Sequence, residues 1–425
     1  MFRSFEYLVH QLLRVIADLH IHSRYSRATS PRLNIREIAK FGTVKGLDII
    51  GVGDFTHPKW FDEIKEELIE IDETGIFSPR SSSRPGTSFL LSVEVSVIFD
   101  YEGSTKKIHH VVLTPSFETA SQINERLSRY GSLVSDGRPT LNITAPALVE
   151  EVMEVSSDNF IFPAHAWTPW FSLFGANSGF DRLDDCYQDM TKYVTALETG
   201  LSSDPPMNWR LSQLDRLTLL SNSDSHSHWP WRIGREANVF ELKDITYKLI
   251  MEAIKAKDPT RFKFTIETHP AYGKYHWTGH RACEVSMSTE EAVKQGNICS
   301  KCGKRMAKGV EQRVEELADR DYGYKPGGAI DYIHLLPLSE ILATTYGLNQ
   351  PSTSKVWNTY NSLMEAFGNE YRVLLDIPRE DIARVTDESV ASNIEKFRLD
   401  AIKVVPGYDG VYGKIELASG DMTEV

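Results

Sequence analysis

Seven short apolar runs, at 15–21, 47–53, 88–99, 108–113, 159–165, 193–199 and 217–221, alternate with amphipathic stretches at 35–44, 60–71, 118–130 and 145–155. Nearly every run ends in, or carries, a histidine or a carboxylate. Alternation of this kind predicts an α/β protein with a parallel sheet, open or closed. Seven such strands would close a β/α barrel slightly smaller than the eight-stranded form.

The polar residues sit where the strands leave the sheet. His20 and His22 end the first run as D-L-H-I-H, and period-two geometry puts both imidazoles on one face. Asp54 follows the second run, Glu94 lies within the third, and His109 and His110 lie in the fourth. His165 ends the fifth, Glu198 the sixth, and Asp224 with His226 follow the seventh. In a β/α barrel such positions converge on the C-terminal mouth. Taken singly, each is as easily a core histidine or a helix cap; convergence from nearly every strand points to a site. Imidazole with carboxylate suits zinc, manganese or iron, and a carboxylate such as Glu94 can bridge two ions. His10 and His334 lie outside this pattern and read as ordinary structural histidines.

A second constellation is His280-x-x-Cys283 followed, after fifteen residues, by Cys299-x-x-Cys302. Two short ligand pairs joined by a loop is the spacing of a structural zinc site, and Gly303 permits the tight turn. His276 competes with His280 for the fourth place, and Cys186 has no partner and reads as a lone buried thiol. Residues 299–313 also collect Lys301, Lys304, Arg305, Lys308 and Arg313 against Glu311, a local net of +4. The plain reading of such a run is a solvated face; the functional one is contact with phosphates.

Charge and composition set limits. The net charge of −12 argues against a protein that coats nucleic acid by bulk positive charge, but not against a local basic groove. Four cysteines in 425 residues exclude a disulfide framework. No window approaches the ~18 apolar residues of a membrane span. The first 16 residues carry Glu6 and His10 with no cleavage site, so a cytoplasmic location is expected. The first dozen residues read as a helical extension or a mis-assigned start. The polar break 72–87 reads as a surface loop, with Arg80 and Arg84 as phosphate contacts in the alternative. The texture changes near 263 and again near 314, which predicts a barrel domain at 13–262, a zinc-binding module at 263–313 and a mostly helical region at 314–425 (helices near 339–346, 355–366, 379–384 and 388–399).

D-L-H-I-H-S, the G-V-G-D turn, the strand residue Glu94, the strand-end His165 and S-D-S-H resemble the polymerase and histidinol phosphatase (PHP) superfamily over residues 13–262. That resemblance implies a distorted seven-stranded β/α barrel whose divalent ions (zinc, manganese or magnesium) hydrolyse phosphoesters. It implies His20, His22, Glu94, His165, Asp224 and His226 as ligands, joined by Asp54 and by His109 or His110. Phe55 and Ala28 stand where the superfamily often has histidines serving one metal, which leaves a third ion without ligands unless Asp54 or His57 replaces them.

With the zinc knuckles and the helical region, the whole chain from Leu13 resembles the endonuclease Q family. The stretches that carry this are H-A-W-T-P-W-F-S (165–172), H-W-P-W-R-I-G-R-E-A-N (228–238), G-H-R-A-C (279–283), I-C-S-K-C-G-K (298–304), R-V-E-E-L-A-D-R (313–320) and V-V-P-G-Y-D-G-V-Y-G (404–413). The resemblance implies a DNA repair endonuclease that nicks 5′ to uracil, hypoxanthine, xanthine and abasic sites, with one structural zinc. Its expected partners are double- or single-stranded DNA with damaged bases, and replication or repair factors, with no membrane. Asp224 and Glu94 are then the expected catalytic residues. Arg232, Arg235, Lys301, Lys304 and Arg305 are the expected DNA contacts, and Trp167 and Trp170, with Phe171 and Phe174, the expected walls of a base pocket. A PHP phosphatase for a small phosphomonoester and a non-catalytic lesion-binding protein are the competing readings.

Overall fold

The structure is a computed structural model that describes residues 12–81 and 86–416; the N-terminal extension with His10, and Arg84, lie outside them. It is a mixed α/β protein. The first region contains β1 (Leu13–Asp18), α1 (Ile35–Lys45), β2 (Ile49–Gly51), α2 (Pro58–Glu67), β3 (Leu68–Glu70), β4 (Phe77–Pro79), β5 (Ser88–Tyr101), β6 (Ser104–Thr114), α3 (Phe117–Leu127), β7 (Thr140–Leu141), α4 (Ala145–Val155), β8 (Phe160–Pro163), α5 (Leu183–Tyr187), β9 (Ala196–Glu198), α6 (Pro205–Trp209), β10 (Thr218–Leu220), β11 (Ala237–Leu242), α7 (Tyr247–Lys255) and β12 (Phe262–Glu267). Next come β13 (Thr278–His280), β14 (Val285–Met287), α8 (Thr289–Lys294) and α9 (Val310–Leu317). The last part holds β15 (Asp331–His334), α10 (Leu338–Thr345), α11 (Ser354–Phe367), α12 (Glu370–Leu375), α13 (Arg379–Val385), α14 (Glu388–Arg398) and the hairpin β16 (Lys403–Val405) with β17 (Lys414–Glu416). None of the described helices is long and apolar enough to cross a membrane.

The seven expected strands are β1, β2, β5, β6, β8, β9 and β10, and they lie side by side in that order. β1 pairs parallel with β2, and β2 with β5. β6 lies antiparallel between β5 and β8, and β9 runs parallel to β10. Ala166 N donates to Glu198 O, and His22 N to Ser225 O, so the β9–β10 pair is tied to β8 on one side and to the end of β1 on the other. A purely parallel sheet is therefore corrected. Glu102 and Gly103, both at positive φ, make the two-residue turn that folds β6 back on β5, and a two-residue connection permits only antiparallel pairing. β11 and β12 extend the sheet beyond β1, also antiparallel.

Alternation along β5 shows how the sheet serves two purposes. Val93, Val95 and Val97 pack into the main core, while Ser92, Glu94 and Ser96, also buried, point to the other face. Elsewhere in the sheet both faces are apolar: Ile16 and Ile50 join one core cluster, and Val15, Ala17 and Ile49 join a second with α7. Burial on both faces explains why these runs read as nearly continuous apolar stretches.

Three expectations are revised. The polar break is not all loop, because β4 pairs with β3 and meets β5 at Phe77 and Phe89. The boundary expected at 262 falls inside β12, which pairs with β11 on one side and β15 on the other. The boundary expected at 313 falls inside α9. The change of texture marks a change in surface chemistry, and the backbone hydrogen bonds run through it. The C-terminal helices are locked to the first region by a buried ion pair: Lys45 Nζ donates to Glu370 Oε1 (2.6 Å) and to Pro230 O (3.0 Å). Tyr360 Oη and Leu338 N also donate to that carboxylate, so the buried charges are fully partnered.

His334, at the end of β15, lies between Asp204 Oδ2 (3.2 Å) and Asp400 Oδ1 (3.3 Å). Burial opposes its protonation, but the two carboxylates outweigh it and push its pKa from 6.5 to about 9. A raised folded-state pKa contributes stability that is complete below 6.5 and is lost as pH rises through 9. The melting temperature should therefore fall between pH 6.5 and 9.5, and His334→Gln should flatten that slope; an unchanged slope in the variant would remove His334 as its source.

Candidate metal centre

Each strand delivers its polar residue to one place. His20 Nε2, His22 Nε2, Glu94 Oε2 and Asp224 Oδ1 form a four-residue group whose ligand atoms lie within 4.8 Å of one another. His22 Nε2 is 3.2 Å from Glu94 Oε2 and 3.1 Å from Asp224 Oδ1, and His20 Nε2 is 3.7 Å from each. Glu94, His109 and His165 form a second group: Glu94 Oε1 is 2.8 Å from His109 Nδ1 and 3.0 Å from His165 Nε2. Glu94 belongs to both, one oxygen facing each, so it would be shared if both groups held an ion.

The β5–β6 register settles the histidine pair. Ser96 faces His109 and Val95 faces His110 across the ladder, so His109 shares the face of Glu94 and His110 points the other way. His110 Nε2 sits 2.8 Å from Tyr187 Oη, and burial pushes its pKa down to about 3. His110 is therefore removed from the ligand set.

Asp54 is also removed, though it stays at the site. Its Oδ2 accepts from Ser23 N (2.6 Å), Ser23 Oγ (2.7 Å) and Ser26 Oγ (2.9 Å), and its Oδ1 is 3.0 Å from His22 Nδ1. Glu198 does the same for His20, with Oε1 3.0 Å from Nδ1. Glu198 also accepts from Asn222 Nδ2 (2.8 Å) and His165 N (2.7 Å). Carboxylates in this position fix the ring and tautomer of a ligating histidine and leave Nε2 to the ion. Asp54, His165 and Asp224 all adopt positive φ (51°, 30° and 45°), a conformation that non-glycine residues hold only where surroundings impose it.

The electrostatics suit cations. Burial opposes ionisation of Glu94, but His109, Arg138 and His20 outweigh it and hold its pKa well below the usual range. Asp224 is likewise held low against burial by His22, His20 and His226. His20 and His22 are held well above 6.5 against burial, His20 by Glu198 and then Glu94, His22 by Asp54 and then Asp224, whereas burial takes His109 down to about 4. His20 Nε2 is buried and has no hydrogen-bond partner among the described residues, an orphan aimed at Glu94 and Asp224. This donor set fits a divalent ion.

His226 lies at the rim, its ring 4.5 Å from that of His22 and its Nδ1 2.9 Å from Asp224 O. His57 falls in none of these ligand groups and stacks on Tyr25 at 4.4 Å. Phe55 is in the core, and Ala28 is exposed. One residue of the centre escaped the sequence reading: Arg138, whose Nη1 donates to Glu94 Oε2 (2.9 Å).

A cleft of about 490 Å³ opens beside His165, Asp224 and His226, lined also by Trp170, Arg232, Arg235, Tyr275 and Tyr412. Trp170 is exposed at its edge, as a wall residue would be. Trp167 is not a wall: it is buried, its Nε1 donates to Asn208 Oδ1 (2.8 Å), and it packs on Phe174. Phe171 packs on His109 at 4.9 Å. Arg235 spends two donors on Ser223 O (3.0 and 2.8 Å), bracing the loop that carries Asp224, while Arg232 is half-exposed.

His280, Cys283, Cys299 and Cys302 come together as a third group, with ligand atoms within 4.8 Å of one another. His276 is elsewhere, 3.8 Å from Glu311. Lys301, Lys304 and Arg305 are exposed beside this group, whereas Lys308 pairs with Glu316 and Arg313 with Asp181 and Glu316, so the basic run narrows to three outward charges.

The family described as the MJ0043 C-terminal domain matches residues 337–401. The uncharacterized protein YqxK of Bacillus subtilis is 30% identical over 419 residues, covering 95% of this chain and 99% of that one. The uncharacterized protein MJ0043 of Methanocaldococcus jannaschii is 35% identical over 256 residues, 59% of this chain and 31% of that longer protein, so the match spans about a third of it. The crystal structure of the lesion-specific endonuclease PfuEndoQ from Pyrococcus furiosus superposes with a TM-score of 0.85 at 36% identity, covering 96% of each chain. An endonuclease Q bound to a 27-mer duplex with an abasic lesion at its active site gives 0.84 and 36%, covering 96% of this chain and 97% of that one. Because these matches run through the strand-end cluster, the cysteine knuckles and the C-terminal helices alike, the chain belongs to the endonuclease Q family.

Proposed function

We propose that this protein is a metal-dependent DNA repair endonuclease that hydrolyses the phosphodiester 5′ to deaminated bases (uracil, hypoxanthine, xanthine) and abasic sites. The observation that carries the reading is the pair of ligand groups sharing Glu94 at the edge of a cleft large enough for an extruded base. The family relative with an abasic duplex at its active site supports DNA as the substrate. The seven ordered strands fit a distorted PHP-type barrel, with a zinc-binding module between β12 and α9 and a helical region from α10 to α14.

His20, His22, Glu94, His109, His165 and Asp224 would hold the ions, with His226 at the rim. Bound divalent ions supply Lewis acidity, polarising the phosphate and making water a competent nucleophile near neutral pH. Asp224 is part-exposed and held ionised, so its free oxygen can accept a hydrogen bond from the attacking water and orient it. Glu94 stays buried and ionised, a fixed negative charge shared by both groups. Glu198 and Asp54 lock the imidazoles. Trp170, Tyr275 and Tyr412 offer aromatic surface to a base, and Arg232 offers charge at the cleft wall. His280, Cys283, Cys299 and Cys302 would hold one structural zinc.

A labelled duplex containing one deoxyuridine or deoxyinosine should yield a single nick 5′ to the lesion with a divalent metal and none after chelation. Asp224→Ala should reduce nicking by about 100-fold or more while lesion binding persists. Full activity in that variant would sink the assignment, and hydrolysis of p-nitrophenyl phosphate without nicking would favour the phosphatase. Cys299→Ser with Cys302→Ser should lose one zinc by elemental analysis and weaken DNA binding; an unchanged zinc content would refute the module. DNA affinity should fall steeply with salt despite the net charge of −12. Replacing Lys301, Lys304 and Arg305 by alanine should flatten the log–log slope by about 0.9 for each phosphate no longer neutralised. A slope already flat in the parent protein would mean that these residues do not touch phosphates.

A further inference from the structure

Arg138 is placed at the centre by a built turn. Asp136 Oδ1 accepts from Arg138 N (3.2 Å), and Gly137 N donates to Tyr25 O (3.0 Å). A Cβ on Gly137 would collide with Asp54 Oδ2 and Ser26 Oγ, so glycine is what lets the chain pass this close to the carboxylate behind His22. Pro139 O then accepts from Ser96 N (2.9 Å), stapling the turn to β5 two residues beyond Glu94. The result is a guanidinium with one donor on Glu94 Oε2 and no other hydrogen bond among the described residues. A quarter of its side chain is exposed. Burial works against its charge, but Glu94 and Asp224 outweigh it and keep it protonated.

Arg138 follows Gly137, whose backbone packs against Asp54 and Ser26 behind His22. Asp54 has its oxygens taken by His22, Ser23 and Ser26, and Phe55 is in the core. A permanent organic cation beside Glu94 balances part of that buried charge, and its planar fork suits phosphate oxygens.

We propose that Arg138 is a catalytic residue that holds Glu94 with one N–H and meets a non-bridging oxygen of the phosphate under attack with its remaining donors. This rests on the phosphodiesterase reading above. As the water oxygen bonds to phosphorus and the bond to the leaving sugar oxygen breaks, negative charge builds on the non-bridging oxygens, and a pre-placed guanidinium stabilises it without moving a proton. Lysine would supply charge but not the fork.

The test uses the full chain loaded with manganese and inorganic phosphate as the probe, followed by calorimetry. Arg138→Ala should weaken phosphate binding by about 10- to 100-fold, with Arg138→Lys in between. Metal content by elemental analysis should be unchanged in both variants. Nicking of the lesion duplex should fall in parallel, and millimolar guanidinium should restore part of it in the alanine variant. Phosphate affinity within twofold of the parent in Arg138→Ala overturns the proposal. So does loss of metal in both variants, which would make Arg138 a clamp for Glu94 only. If the parent protein binds phosphate in an Arg138-dependent way but nicks no lesion, the endonuclease reading falls while the phosphate contact stands.

Discussion

Glu94 is the constraint on which the rest of the structure depends. A fully buried carboxylate costs several kcal/mol unless it is partnered on all sides. Here it meets His109 and His165 on one oxygen, and His22, His20 and Arg138 on the other. Each of those histidines from β1 and β8 is held by something else: His20 by Glu198, His22 by Asp54, His165 by its own backbone N–H on Glu198. Asn222 adds a third tier, donating to Glu198 while accepting from Leu19 N and Asn238 Nδ2. The polar network therefore reaches from β5 through β9 to β1 and β11. A half-satisfied network would be worse than an apolar core, so the strands must hold their register for the site to exist.

What could be read from the sequence follows from the same point. The strand-end residues announced themselves because apolar strands seldom end in histidine or carboxylate, and the cluster gathers His20, His22, Glu94, His165 and Asp224 as that pattern implied. Period-two logic could not choose between His109 and His110, because the choice depends on which residues of β5 lie opposite, and register is a property of the pair. The E-G turn at 102–103 was a legible hairpin signal that the α/β texture masked. Asp54 shows the other limit. Sequence placed it at the site, but whether a carboxylate binds an ion or a ligand's back nitrogen is decided by the serines around it. Arg138 sat in a D-G-R-P segment between elements, where only the fold brings it beside Glu94.

The C-terminal half completes the cleft. Tyr275 and Tyr412 come from beyond β12, yet they line the same cavity as Asp224 and His165. Tyr272 Oη donates to Glu340 Oε2 (2.9 Å), and Arg232 lies 3.9 Å from Glu340 Oε1, so α10 touches both the cleft wall and the segment that leads from β12 to Tyr275. The Lys45–Glu370 pair, with Pro230 O on the same ammonium, fixes the helical region against the W-P-W turn.

The cysteine group has a structural role that its basic surface does not convey. Tyr412 is carried by the turn 405–413, and that turn is held from the knuckle side. Trp277 bridges to Tyr408, and Arg281 N donates to Asp409 Oδ2 (2.6 Å) one residue from His280. Gly407 N donates to Ala271 O, and a Cβ at Gly407 would collide with Gly273 O, so the turn packs directly on the backbone that leads to Tyr275. Few apolar residues stabilise the knuckle itself: Val285, Ala292, Cys299 and Met306 make up its buried cluster. A core that small does not hold its shape by burial alone, and a metal joining His280, Cys283, Cys299 and Cys302 would supply the missing rigidity. The turn that presents Tyr412 to the cleft is thereby tied to the cysteine group through Trp277 and Arg281, so one side of the cleft rests on the segment around β13.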